Sequence, residues 1–518
     1  MSLSFDNPDC PAPPAPLPTD TLVDSVLILL LLTIVQRLVG FVRAVLFCRW
    51  LDAEQLGLWD MAFSFLLLAA PLSVLAIPGS FGRYLEHYRR RGQLRRFLRW
   101  TILACGGLTV AAFVGILAAR QWLSALIFGS QNQSPLVALA AGCLVAVIAY
   151  NFLIELFTAL RNIRLVSVMQ LVNSVAFAVL GLALLLSWQC SAASVLLAYG
   201  GSCLIAAVWA GCRLPRVWHA APATASPAQH AALWAKVVPF AAWVLLASVL
   251  TNLFGVVDRY MILHFSRTPA VAALDAVGNY HSSRVVPLLL VSIAAMLSTM
   301  ITPHLSHDWE AGKYDLVAAR LRLFLKLFGF VLYAGAVAVL LAAPLLFEVA
   351  FRGKFPCGEA VLPWALMYCT WFGLWLVMQN YLLCAEKARL ASVALACGLI
   401  LNVLLNLVLL PRLGLEGAVL STAAANALSL GLTCLFNHRL GFHLDRGALL
   451  VILLPAVLCL GPWAALSALL VVTADALWSD HLLSPAEKQQ IAESVTQYVK
   501  RFGLGRLPAD STPPAIGR

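Results

Sequence analysis

Charge is what this 518-residue sequence has least of. Asp, Glu, Lys and Arg make up 11% of it, against about a quarter in an ordinary soluble domain. That scarcity excludes a water-soluble globular chain. Paired cysteines are missing too. The 13 cysteines include no Cys-x-x-Cys, and most (among them Cys105, Cys143, Cys203, Cys369, Cys397, Cys434 and Cys459) lie in apolar runs. They read as small apolar residues of the interior, so neither a disulfide framework nor a metal site is expected. There is no Gly-rich phosphate loop, no His-Glu-x-x-His and no acidic metal pair facing a loop. Nothing therefore points to nucleotide hydrolysis, metal chemistry or a cofactor. His281, His304 and His307 fall at the ends of apolar runs, where surface or capping roles fit better than metal binding. Residues 1–20 hold six prolines and no Lys or Arg. They read as a disordered cytoplasmic tail, not as a signal peptide.

What the sequence has in abundance is apolar runs. Apolar residues are 61% of the chain and the mean hydropathy is +0.87. The runs are about 20 residues long, the length that spans a bilayer. In hydrocarbon each must satisfy its own backbone polar groups, which makes it a helix. Spans are expected at 22–48, 56–80, 97–119, 136–160, 166–188, 193–212, 236–262, 281–303, 323–348, 360–384, 391–409 and 417–436. Residues 446–478 fit a hairpin of two shorter spans around the helix-breaking Gly461-Pro462. The expected fold is an all-α polytopic membrane protein with 14 helices, or 12 or 13 if that segment is read otherwise.

Lys and Arg are distributed unevenly among the loops. Loops 81–99, 161–165, 213–236, 304–326, 385–390 and 437–446 carry 20 of them, and the alternate loops carry 6. The positive-inside rule puts the first set, and the N-terminus, in the cytoplasm. The densest block, Arg83 to Arg99, then needs only topology and contact with anionic lipid. Nucleic acid is not an expected partner. None of the outer loops exceeds about 20 residues, so the chemistry must lie within the membrane.

The chain repeats itself. Leu38-Val-Gly40-Phe-Val-Arg43 aligns with Leu253-Phe-Gly255-Val-Val-Asp258 at an offset of 215, and Gly57-Leu-Trp59 with Gly278-Asn-Tyr280 at 221. Pro78 aligns with Pro303 and Arg164-Leu-Val-Ser-Val with Arg389-Leu-Ala-Ser-Val, both at 225; Arg213-Leu aligns with Arg439-Leu at 226. The order holds and the offset drifts slowly, as loop insertions would make it do. Six is even, so the halves are parallel repeats. The organisation reads as a tail (1–20), an N-lobe (21–213), a cytoplasmic linker (214–235), a C-lobe (236–440), a hairpin (446–478) and a cytoplasmic tail with an amphipathic helix (479–518). A duplicated bundle of this kind suits a transporter whose lobes rock about a central cavity.

Polar groups at depth are expensive and mark function or pairing. Gln36, Gly40 and Arg43 share one face of span 1, with Arg37 beside them; span 2 carries Asp60. Asn252 and the pair Asp258-Arg259 lie on span 7, and Arg284 on span 8. These eight polar residues (Gln36, Arg37, Arg43, Asp60, Asn252, Asp258, Arg259 and Arg284) are the cavity candidates. Glu155 and Asp258 are candidate coupling carboxylates. Spans 3, 5, 6, 9, 11 and 12 read as much less polar. The excess of Arg favours an anionic cargo, since a guanidinium holds phosphate by two parallel hydrogen bonds.

One segment carries a family likeness. Asn402-Val-Leu-Leu-Asn406-Leu-Val-Leu-Leu-Pro411-Arg-Leu-Gly414-Leu-Glu416-Gly417-Ala resembles a hallmark of the polysaccharide flippases of the multidrug/oligosaccharidyl-lipid/polysaccharide exporter superfamily. Arg37-Leu-Val-Gly40-Phe-Val-Arg43, Leu56-Gly57-Leu-Trp and Asp258-Arg259-Tyr look like the same family. The resemblance implies two six-helix lobes of the multidrug-and-toxin-extrusion type, with spans 1, 2, 7 and 8 around a central cavity. It implies a lipid-linked saccharide cargo of the isoprenoid pyrophosphate type, flipped across the bacterial cytoplasmic (inner) membrane for lipopolysaccharide or exopolysaccharide export. Glycan-assembly proteins are implied partners and membrane lipid the surroundings. A cation-coupled drug or metabolite antiporter of the same fold is the alternative, and a polytopic glycan polymerase or ligase a more distant one.

Overall fold

The computed structural model describes residues 22–215 and 230–501. The expected tail at 1–20, the centre of the linker and the end of the C-terminal tail lie outside those residues.

The first half folds into α1 (Leu22–Trp50), α2 (Ala53–Ser73), a short α3 (Phe81–Arg90), α4 (Leu94–Ala118), a short α5 (Arg120–Phe128), α6 (Ser134–Ala159), α7 (Ile163–Ser187) and α8 (Ala192–Gly211). The second half gives α9 (His230–Phe265), α10 (Ala270–Glu310), α11 (Tyr314–Leu341), α12 (Pro356–Cys384), α13 (Ala388–Leu413) and α14 (Leu415–Arg439). Among the described residues twelve of these helices are long and apolar enough to cross a membrane. Large apolar side chains face outward along them (Leu103, Val110, Val179, Val208, Val331 and Leu404, for example). Lipid tails cover such faces at no cost, so the burial that defines a soluble core is not required of them.

The two halves pack alike. In the first, α1 lies against α7, α7 against α8, α8 against α6 and α6 against α4; in the second, α9–α13, α13–α14, α14–α12 and α12–α11 repeat the pattern. The lobes meet through α1 and α2 on one side and α9 and α10 on the other.

After α14 come α15 (Arg446–Leu453), a 3-10 segment (Leu454–Leu460), α16 (Pro462–Trp478) and α17 (Pro485–Arg501). Gly461 turns the chain at φ 104°. The ends of this excursion touch, since a Cβ on Gly447 would sit 2.2 Å from the Leu482 carbonyl oxygen. Lys326 ties them together, holding Glu487 at 2.9 Å and also Asp445. Sequence reading puts Lys326 where the basic loop 304–326 overlaps the expected span 323–348. It lies on α11 and is 1% exposed, because two carboxylates from the hairpin's ends close over it. Ser484 and Glu487 form a capping box at the start of α17, with Ser484 N–H donating to Glu487 Oε2 at 2.8 Å.

Span 2 also departs from expectation. It does not run to residue 80: α2 stops at Ser73, Leu75 and Ala76 adopt φ of 50° and 48°, and a 3-10 turn follows at Ile77–Ser80. The Pro78 ring opposes continued helix, disfavouring helical geometry at Ile77 and clashing with the carbonyl of Val74.

The two lobes come closest where α2 crosses α10. A Cβ on Gly57 would meet the Leu274 carbonyl oxygen at 2.1 Å, and one on Gly278 the Ala53 carbonyl oxygen at 1.9 Å. Gly57 and Gly278 are the pair that the repeat aligns. Gly57→Ala and Gly278→Ala should each force the helices apart, at about 1–3 kcal/mol. Thermal unfolding of the detergent-solubilised protein checks this, and unchanged midpoints in both variants would show that the crossing is not tight.

Candidate functional site between the lobes

One stripe of α2 faces the second lobe: Gly57, Asp60, Ser64 and Leu67, spaced as a helix face requires. Asp60 is 1% exposed. Its Oδ2 accepts from Arg259 Nε of α9 at 2.5 Å, and its Oδ1 lies 2.9 Å from His281 Nδ1 of α10. Arg259 Nη1 donates to Ser64 Oγ at 3.0 Å and to its own helix at the Gly255 carbonyl, 3.2 Å away. One turn further along, Asn252 Nδ2 donates to the Leu67 carbonyl at 3.1 Å. Three candidates from the sequence (Asp60, Asn252 and Arg259) thus belong to one seam across the lobes. His281 belongs there as well. It lies inside α10 and not at a helix end, because α10 begins eleven residues earlier, at Ala270.

The seam continues at the end of the bundle away from the basic loops. Lys354 Nζ reaches Asp52 Oδ1 at 2.9 Å and the Trp50 carbonyl at 3.2 Å. Arg49 Nη1 donates to the Val349 carbonyl at 2.9 Å. That end of the cleft is closed. Toward the other end the lobes part around a cavity of about 370 Å³, lined by residues of α2, α6, α8 and α9. Beyond it α3 bridges to α9, with Tyr84 edge-on to Phe240 at 5.6 Å between centroids and Arg83 stacked 5.0 Å over the Phe240 ring.

Asp258 and Arg259 are chain neighbours, yet they serve different lobes. A residue step turns about 100° around a helix, so Arg259 crosses the seam while Asp258 points into its own lobe. Asp258 Oδ1 accepts from Asn402 Nδ2 at 2.9 Å and Asn406 Nδ2 at 3.2 Å, and Oδ2 from the Tyr280 hydroxyl at 2.8 Å. Asn402 Nδ2 also lies 3.4 Å from Thr422 Oγ1. Among the described residues no Lys, Arg or His pairs with this buried carboxylate, and Asn406 Oδ1 is buried with no hydrogen-bond partner. Spans 11 and 12 are therefore not the bland helices that hydropathy suggests. They supply the polar lining of this carboxylate site from α13 and α14. The Asn402–Asn406 spacing was the available signal.

Arg284 follows His281 by three residues on α10. It is 9% exposed, its guanidinium carbon lies 4.9 Å over the Tyr280 ring, and Nε and Nη1 are buried without a hydrogen-bond acceptor. Arg43 stays within the first lobe, 4.0 Å over the Phe177 ring. Gln36 is half-buried and its carbonyl accepts from Ser174 of α7 at 3.3 Å. Arg37 is exposed. Neither Gln36 nor Arg37 bonds across the cleft among the described residues. Glu155 faces the cavity, as does Asn252. No group of three or more His, Cys, Asp or Glu placed to hold a metal ion occurs among the described residues.

Comparison with known proteins places this arrangement. The sequence profile of a family described as "Polysaccharide biosynthesis protein" matches residues 22–307, more than half of the chain. No curated protein sequence matches. Among solved structures, "Lipid II flippase MurJ, inward closed conformation" is similar with a TM-score of 0.67 at 11% identity, over 86% of this chain and 98% of that one. A multidrug resistance MATE family transporter of the MOP superfamily, in its inward-facing conformation, gives 0.56 at 14% identity over 78% and 94%. A MOP superfamily transporter from Pyrococcus furiosus gives 0.58 at 13% over 80% and 93%. At these identities the likeness is one of fold, two parallel six-helix lobes.

Removing one partner of the seam's ion pair strands the other charge in a buried site, at about 3–5 kcal/mol. Asp60→Ala and Arg259→Ala should therefore each open the closed end, while the double variant costs less than the two singles together. Spin labels at positions 54 and 352, which leave the Lys354–Asp52 pair intact, read the opening as a longer inter-label distance. Unchanged distances together with additive single effects would remove the pair from this role.

Proposed function

The chain belongs to the polysaccharide biosynthesis protein family, and on that premise we propose that it flips a lipid-linked saccharide precursor from the cytoplasmic to the outer leaflet by alternating access. The membrane would be the bacterial cytoplasmic membrane, with the basic loops and the N-terminus in the cytoplasm, and glycan-assembly proteins would act beside it.

The observation that carries this reading is the buried guanidinium of Arg284, with two nitrogens unbonded, together with a second guanidinium, Arg259, whose charged partner, the carboxylate of Asp60, can be exchanged. A buried cation without acceptors is costly and awaits an anion. The pyrophosphate of an isoprenoid-linked sugar supplies that anion with the geometry guanidinium groups prefer. It would take over Arg259 from Asp60 and bond Arg284 at the same time, dissolving the seam that holds the lobes shut. Cargo entry and opening of the far end then become one event. Gln36, Arg37 and Arg43 of α1 remain proposed members of the cavity wall in the opened state.

The site around Asp258 favours cation coupling as a companion to flipping. A buried carboxylate with three neutral donors and an orphaned amide oxygen beside it can accept a proton or a monovalent cation by turning the amides of Asn402 and Asn406. A drug antiporter would use the same device with a different cavity content.

Proteoliposomes loaded with a fluorescent undecaprenyl-pyrophosphoryl monosaccharide test the proposal, with outer-leaflet label removed by dithionite. Wild type should equilibrate the label between leaflets. Arg284→Ala should slow it about tenfold or more, the loss of a charge-assisted contact worth at least about 1.4 kcal/mol. Asp258→Asn should abolish acceleration by an ion gradient and leave slow flipping. Export of cationic dyes with no movement of the labelled lipid would overturn the flippase reading in favour of the antiporter.

A further inference from the structure

Resting on the flippase reading, we propose that Glu155 is a charge filter for the sugar: it admits neutral and amino-bearing saccharides into the cavity and turns away acidic ones. The cavity of about 370 Å³ has a lining that is mainly apolar, with Asn151, Glu155, Tyr199, Ser248 and Asn252 as its polar members. No Lys, Arg, His or Asp lines it. The guanidinium groups assigned to the pyrophosphate, Arg259 and Arg284, are absent from its walls. The cavity is therefore unsuited to the phosphates and suited to the part of the cargo that follows them.

Asn151 and Glu155 are one turn apart on α6 and present a carboxamide and a carboxylate on one face. Both side chains are exposed, and neither makes a hydrogen bond or ion pair among the described residues. Asn252 is engaged by the Leu67 carbonyl at 3.1 Å and Ser248 Oγ at 3.5 Å. The open hydrogen-bonding capacity of the cavity is thus concentrated at Glu155 and Asn151. A carboxylate only accepts. Sugar hydroxyls and a sugar ammonium donate to it, while a uronic acid or other acidic sugar brings a like charge. In a cavity walled by apolar groups that repulsion is far less screened than in water, and no cation in the lining offsets it. Substrate preference is set by what the site penalises as much as by what it binds. This assignment separates the two candidate carboxylates, Asp258 for the coupling cation and Glu155 for the cargo.

The test uses full-length protein in nanodiscs and three undecaprenyl-pyrophosphoryl monosaccharides that differ only in the sugar: glucose, glucosamine and glucuronic acid. Affinity is read from tryptophan fluorescence. Wild type should bind the glucuronic acid lipid at least about tenfold more weakly than the glucose lipid. Glu155→Gln, which keeps shape and removes charge, should raise glucuronic acid binding to the glucose level, weaken glucosamine and leave glucose within about threefold. Asn151→Asp adds a second carboxylate at the same face and should widen the discrimination against glucuronic acid. Both variants should unfold at the wild-type temperature, since neither side chain is bonded. If Glu155→Gln binds the three lipids in the wild-type order and ratios, the filter is overturned and the flippase reading stands. If wild type binds none of the three, the flippase reading fails and takes the filter with it.

Discussion

The structure depends on an ion pair buried between its two bundles. Asp60 and Arg259 lie on opposite lobes, 1% and 7% exposed, with His281 completing the contact. Neither charge could remain at this depth alone, because removing a carboxylate or guanidinium from water without a partner costs several kcal/mol. The lobes can therefore separate here only if water or another anion reaches Arg259 as they do. That requirement turns a rocking motion into a switch between two defined arrangements. The glycine crossing at Gly57 and Gly278 makes the closed arrangement possible, since any side chain at either position would hold Asp60 and Arg259 out of reach.

Much of this was legible in the sequence, and the part that was not has definite causes. Hydropathy and length are strong signals because hydrocarbon forbids unsatisfied backbone, so the twelve long helices followed directly. The repeat was visible in glycines and prolines because those residues carry backbone constraints that drift slowly with loop length. The seam was half visible: charges on spans 1, 2, 7 and 8 pointed to the right helices. What a linear sequence cannot state is azimuth. Asp258 and Arg259 are adjacent in the chain and serve different lobes. His281 looks peripheral in the sequence because Asp275, Gly278 and Asn279 interrupt the apolar run just before it. The burial of Lys326 is not legible because its two carboxylate partners come from positions more than a hundred residues away.

The repeats share their packing and differ where function would need it. Arg43 and Asp258 occupy equivalent positions at the offset of 215, yet one is a cation stacked on Phe177 and the other a carboxylate ringed by donors. Likewise α2 breaks at Ser73 while its counterpart α10 runs unbroken to Glu310. The break lets α3 turn across to α9, so the first lobe reaches over the basic end of the cleft. A twofold bundle with inverted charge at one position and a helix break in one lobe at another has lost the symmetry that would make its two lobes behave alike.

That asymmetry bears on how a cation site could govern the seam. Asp258 and Arg259 are consecutive residues of one helix, separated by a rise of about 1.5 Å. Their side chains are committed to different structures, the donor ring in the C-lobe and the carboxylate across the cleft. Any change in occupancy at Asp258 that rotates or shifts α9 by a fraction of a turn displaces Arg259 by a comparable amount. A hydrogen bond at 2.5 Å with a fixed guanidinium geometry tolerates little displacement. The seam would then weaken without any contact between ion and cargo. Such coupling has the magnitude of the ion's preference for one arrangement over the other, and no more. A preference of about 3 kcal/mol, within reach of one buried charge, would move the closed-to-open ratio more than a hundredfold.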